Sequence, residues 1–150
     1  MSPAELTLRF FAREGYTIAV VEKTVNVPQP GGRRLIFKQD LWGFADGLAF
    51  RPGNTTTFAV QWTVGARFAE HVAKCAMRDR EVGWTLTATD QMPRRLLVFG
   101  WRQVGDHGKR KVQQARVVEI RAGVALPEVD GPDDAVAHAL GLIPCWMPGT

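Results

Sequence analysis

The sequence predicts an α/β fold, a mixed β-sheet flanked by helices, on three observations. A helix-start signature opens the chain, and apolar residues recur at helical spacing from position 66 to 80. Short runs rich in β-branched and aromatic residues lie between and after these stretches. The order of helix, strands, helix, strands carries no internal repeat at solenoid periods. With 150 residues, 45% hydrophobic and 23% charged, the chain fits one packed core and lies far from the composition of disordered proteins.

Ser2-Pro3-Ala4-Glu5 reads as a helix start, with Ser2 as cap, Pro3 in the first turn and Glu5 placed for a capping box. The helix is expected to run to about Glu14 and to stop at Gly15. Tyr16 to Val21 then reads as a short buried strand with Glu22 at its end. Residues 26 to 34, with Pro28, Pro30, Gly31 and Gly32 before Arg33 and Arg34, read as a mobile basic loop. Leu35 to Arg51 and Thr56 to Val64 are expected as two strands around the turn formers Pro52-Gly53-Asn54-Thr55. From Ala66 to about Arg80, Phe68, Val72, Cys75 and Ala76 recur on one side and Arg67, His71, Lys74 and Arg78 on the other, a helix with a basic face. Trp84 to Thr89, Leu96 to Arg102 and Val112 to Ile120 are further strands, the last two forming a hairpin. Residues 1 to 121 are expected to form the main domain. Residues 122 to 150 are read as a Pro-rich acidic extension with one short helix near 132 to 140.

Charge narrows the function classes. All 19 Lys and Arg residues lie in positions 1 to 121, with 11 of the 15 acidic ones, while Glu128, Asp130, Asp133 and Asp134 leave the remainder purely acidic. A basic body favours a polyanion such as nucleic acid through counterion release and steering. Without an apolar leader or a run long enough to span a bilayer, the expected location is cytoplasmic, with no membrane partner. Cys75 and Cys145 lack the spacing of a disulfide framework or zinc site, and are expected as thiols. His71, His107 and His138 show no metal-ligand spacing, and no phosphate-cradling glycine loop or nucleophile elbow occurs. Zinc hydrolases, nucleotide-triphosphate enzymes and common serine hydrolases are therefore disfavoured. Trp42, Trp62, Trp84 and Trp101 read as core residues.

A turn centred between Gly53 and Asn54 sets Asp46 directly opposite Gln61. Opposed residues have Cβ atoms about 4.5–5.5 Å apart, close enough for two side-chain oxygens to reach one small cation. Mg²⁺ takes such oxygens at about 2.0–2.1 Å and keeps several waters. The same pair is equally consistent with a buried hydrogen bond and no metal.

Gly43-Phe44-Ala45-Asp46-Gly47-Leu48-Ala49-Phe50-Arg51, a turn, and Phe58-Ala59-Val60-Gln61-Trp62-Thr63 resemble the core hairpin of the restriction-endonuclease-like (PD-(D/E)XK) nucleases. The resemblance is strongest to the Holliday-junction-resolvase-like and phage-encoded branches, and covers roughly residues 4 to 102, including a strand ending in Val-Glu-Lys and the later Gly100-Trp101-Arg102. It implies a metal-dependent DNA endonuclease acting on double-stranded or branched DNA by phosphodiester hydrolysis, with Mg²⁺ (or Mn²⁺) at Asp46 and Gln61. Two departures fall at the chemistry, since Gln61 stands where an acid is usual and Thr63 where a Lys is usual. Gln still offers a neutral oxygen, with less attraction for a cation, whereas Thr cannot match the electrostatic role of Lys. Lys23, Lys38 and Lys74 are candidates to supply that charge. Glu22 is the preferred further carboxylate, then Asp40, with Glu5 as the alternative. Arg33, Arg34, Arg67, Lys74, Arg102, Lys109, Arg110 and Lys111 are candidate phosphate contacts, and a two-stranded substrate suits a homodimer. The alternative is a catalytically silent DNA-binding or scaffold protein with a degenerate nuclease fold.

Overall fold

The computed structural model describes residues 1–39, 41, 45–81, 94–105 and 110–142. Helix α1 spans Pro3–Arg13, and the capping box forms as expected: Glu5 N–H donates to Ser2 Oγ at 3.2 Å and Ser2 N–H to Glu5 Oε2 at 2.7 Å. Gly15, at φ +79°, ends the helical run. Strands β1 (Thr17–Val20), β4 (Gly47–Phe50), β5 (Thr57–Val64), β6 (Arg94–Val104), β7 (Val112–Arg121) and β8 (Val124–Ala125) line up in that order in one sheet, with β9 (Val129–Gly131) also on β7. Strands β2 (Lys23–Pro28) and β3 (Arg34–Gln39) form a separate two-stranded sheet.

The sheet is mixed. Its β5–β6 pair is parallel and is bridged by a crossover containing helix α2 (Phe68–Glu81); the other pairs are antiparallel. Helix α3 spans Asp133–Ala139.

Alternation along the strands sorts the core into two layers. On one face Phe58, Val60, Leu97, Phe99, Trp101, Ala115 and Val117 pack against Leu6, Phe10 and Phe11 of α1 and against Val136 and Ala137 of α3. On the other, Ala59, Leu96, Val98, Val118 and Ile120 pack against Phe68 and Cys75 of α2. Aromatic edges lock the first layer, with Phe10 and Phe99 centroids 5.1 Å apart and Tyr16 and Phe58 5.5 Å apart. Trp101 Nε1–H donates to Thr7 Oγ1 at 2.9 Å, which satisfies the one polar group of a buried indole.

Four expectations change. The stretch from Leu35 to Arg51 is not one strand: β3 ends at Gln39, a bridge joins Leu41 to Ala45, and β4 begins at Gly47. Residues 26 to 34 are not a loop throughout, because only the tip turns while Lys23–Pro28 pairs with Arg34–Gln39. β1 is not buried; it is an edge strand, exposed except at Ile18, because α1 covers only part of it. Residues 122 to 142 are no appendage. β8 and β9 pair with β7, and Val136, Ala137, Leu140 and Leu142 enter the core. Position 121 marks a change in charge and not the end of the core. The strand expected at Trp84 to Thr89 lies outside the described residues.

Candidate functional site

The site is built on the β4–β5 hairpin. Gly53, at φ +82°, makes the turn, and Asn54 N–H donates to Arg51 O at 3.0 Å. The strands then pair as Gly47↔Val60, Leu48↔Ala59 and Ala49↔Phe58. One step further on, Asp46 N–H donates to Val60 O at 2.9 Å, and Asp46 stands opposite Gln61. Both are buried, each 2% exposed. Gly47 is required beside them, because a Cβ there would lie 2.8 Å from the Trp62 ring.

Gln61 Nε2–H donates to Asp46 Oδ2 at 2.6 Å, and Trp62 N–H donates to the same oxygen at 2.9 Å. These bonds fix the carboxylate and turn the Gln amide, whose Oε1 is buried without a hydrogen-bond donor. An unsatisfied buried carbonyl oxygen is costly. Beside a carboxylate it is also the kind of ligand a hard cation takes.

β1 brings in the next group. Its register with β4 continues past the strand end, and Val21 N–H and Glu22 N–H both donate to Asp46 O, at 2.8 and 3.3 Å. Glu22, Lys38, Asp46, Gln61, Thr63, Arg67 and His71 line one cavity of about 490 Å³, together with Ser2 and Pro3 at the start of α1. Lys38 Nζ pairs with Glu22 Oε1 at 3.2 Å. Arg67 is held by Glu70 at 3.0 Å, an exposed pair that raises the guanidinium pKa and lowers that of the carboxyl. Among the described residues no three His, Cys, Asp or Glu side chains cluster as a metal site; Gln61 would be the third oxygen donor beside Asp46 and Glu22.

Six sequence-predicted residues thus share the cavity: Glu22, Lys38, Asp46, Gln61, Thr63 and Arg67. Glu5 does not line it, being engaged in the capping box. Of the three candidate lysines, only Lys38 is in the lining. Arg33 and Arg34 lie exposed on the β2–β3 ribbon. Arg102 pairs with Asp130 at 3.0 Å, while Arg110 and Lys111 line a second cavity of about 650 Å³ with Arg9, Arg13, Asp133 and Asp134. Asp40 and Lys109 lie outside the described residues. His71, which shows no metal-ligand spacing in the sequence, also lines the cavity. Its place four residues after Arg67, in the first turn of α2, is the signal that puts both on the cavity side.

Comparison with known proteins adds no relative: the chain matches no protein-family model, no curated protein and no solved structure. Among the described residues no helix is long and apolar enough to cross a membrane.

Proposed function

We propose that the chain is a metal-dependent endonuclease that hydrolyses phosphodiesters in double-stranded or branched DNA, built on the restriction-endonuclease-like plan. The observation that carries this reading is the buried Asp46–Gln61 pair, opposed across a hairpin and opening on a cavity shared with Glu22. Mixed-sheet architecture with helices on both faces agrees with it.

Asp46, Gln61 and Glu22 would hold Mg²⁺ or Mn²⁺ through oxygen ligands. Bound there, the cation would lower the pKa of a water and neutralise charge on the phosphate. Lys38 supplies, from the ribbon base, the positive charge that Thr63 lacks, and its pairing with Glu22 keeps it at the cavity. Arg67 offers a guanidinium for a phosphate oxygen on the α2 side.

A silent DNA-binding protein is the second reading. What favours it is the closed contact between Gln61 Nε2 and Asp46 Oδ2, which leaves that carboxylate oxygen already holding two donors. Incubation with linear, single-stranded and four-way-junction DNA in Mg²⁺ or Mn²⁺ separates the two. The enzyme reading expects metal-dependent cleavage that Asp46→Ala abolishes while DNA binding persists. No cleavage of any substrate by a DNA-binding wild type supports the silent reading.

A further inference from the structure

The β2–β3 ribbon is unexplained by the core. It is a sheet of its own, and every residue from Lys23 to Gln39 is exposed except the half-buried Val25. A lone two-stranded hairpin is marginal in water, so a ribbon projecting in this way is better suited to a ligand surface than to stabilising the fold. Between positions 23 and 39 the chain carries Lys23, Arg33, Arg34 and Lys38 and no acidic residue.

The register divides the ribbon into two unlike faces. Lys23↔Gln39, Val25↔Phe37 and Val27↔Leu35 share one face, polar at the ribbon base and apolar over the two pairs beyond it. Thr24↔Lys38, Asn26↔Ile36 and Pro28↔Arg34 share the other. That second face holds cations for phosphates, an amide and a hydroxyl for base edges, and in Ile36 an apolar side chain of the kind that meets a thymine methyl. Its tip is a tight turn in which Gln29 N–H donates to Arg33 O at 2.8 Å, with Gly31 and Gly32 at φ +84° and +78°. Pro28 has no N–H to extend the sheet, which disfavours strand addition by another chain.

We propose that this ribbon is a nucleic-acid-binding arm that enters the major groove of duplex DNA with its Thr24, Asn26, Arg34, Ile36 and Lys38 face inward. The groove admits a two-stranded ribbon, and the arm's charge is complementary to the phosphates that wall it. Lys38 belongs to both the arm and the cavity, so DNA held by the arm lies against Glu22 and Asp46. The proposal rests on the DNA-binding part of the reading above and is independent of whether the cavity cleaves.

The test is fluorescence anisotropy of labelled duplex DNA with the full chain, in chelator, across a salt series. Arg33→Ala/Arg34→Ala is expected to lower the salt slope by about 2, given a loss of about 0.9 per phosphate contact, and to weaken binding at least tenfold. A variant in which Gly-Gly replaces residues 24 to 38, its fold checked by circular dichroism, should lose most of the affinity. Leu35→Ser/Phe37→Ser should bind as the wild type does. If the arm variants bind like the wild type, the arm is wrong and the DNA reading survives. If the wild type does not bind at low salt, both are overturned. Loss of a dimer in Leu35→Ser/Phe37→Ser, with binding unaffected by Arg33→Ala/Arg34→Ala, would assign the ribbon to a second copy and overturn the arm.

Discussion

At the scale of single residues, the most consequential choice is Gln at position 61. A carboxylate there would stand against Asp46, whose Oδ2 lies 2.6 Å from Gln61 Nε2, and two adjacent buried carboxylates cannot both ionise cheaply. Gln61→Glu is therefore expected to lower metal-free stability at neutral pH by about 1–3 kcal/mol. Added Mg²⁺ should raise its melting temperature more than that of the wild type, because a ligand bound only by the folded state stabilises it by mass action. Calorimetric melts with and without the cation check this. Tyr16 gives an independent probe, since it is the one tyrosine in the chain. Burial pushes its phenol above the ordinary 10.0, against the opposing pull of Arg51 stacked 4.7 Å from the ring centroid. A raised folded pKa means stability that is fully present below the unfolded value and lost as pH rises through the folded one. Ultraviolet titration should accordingly show phenolate forming above pH 10.0, with the melting temperature falling over the same interval. A midpoint at or below the ordinary value would count against the packing of Tyr16 described above.

At the scale of elements, what the sequence revealed depended on whether local chemistry and tertiary packing agreed. The start of α1 was readable because Ser2, Pro3 and Glu5 cap it by themselves. The β4–β5 register was readable because Pro52, Gly53 and Asn54 allow few turns, and register then sets Asp46 against Gln61. The ribbon was missed because Pro28 to Gly32 dominate a window in which Val25, Val27, Leu35 and Phe37 still alternate. α3 was expected, but its place in the core was hidden by the four acidic residues around it; the apolar spacing of Val136 and Leu140 was the weaker sign. His71 reaches the cavity through the docking of α2 on the sheet, which local sequence does not encode. That docking is testable at Gly100, where a Cβ would lie 2.6 Å from the Phe68 ring. Gly100→Ala should destabilise the protein by about 1–3 kcal/mol through overpacking, read as a lower denaturant midpoint with an unchanged slope.

At the scale of the molecule, the acidic segment faces the basic body. Arg116 pairs with Glu128 at 2.7 Å, Arg102 with Asp130 at 3.0 Å and Arg13 with Asp133 at 2.8 Å. Such exposed pairs add little stability each. On the proposed DNA-binding reading, they also offset the positive field of the body. Truncation cannot isolate this effect, since Val136, Ala137, Leu140 and Leu142 would leave the core with the charges. Glu128→Gln/Asp130→Asn removes charge alone and should tighten DNA binding several-fold at low salt while shifting the melting temperature little. Unchanged affinity would show that this segment does not compete with DNA.

Isothermal titration of Mn²⁺ into the metal-free protein would show whether Asp46, Gln61 and Glu22 together hold a divalent cation. One site per chain is expected, lost in Asp46→Ala and bound at least tenfold more tightly in Gln61→Glu, a change of about 1.4 kcal/mol or more. Absence of binding by the folded wild type, or binding that Asp46→Ala leaves unchanged, would rule out a cation site at these three residues.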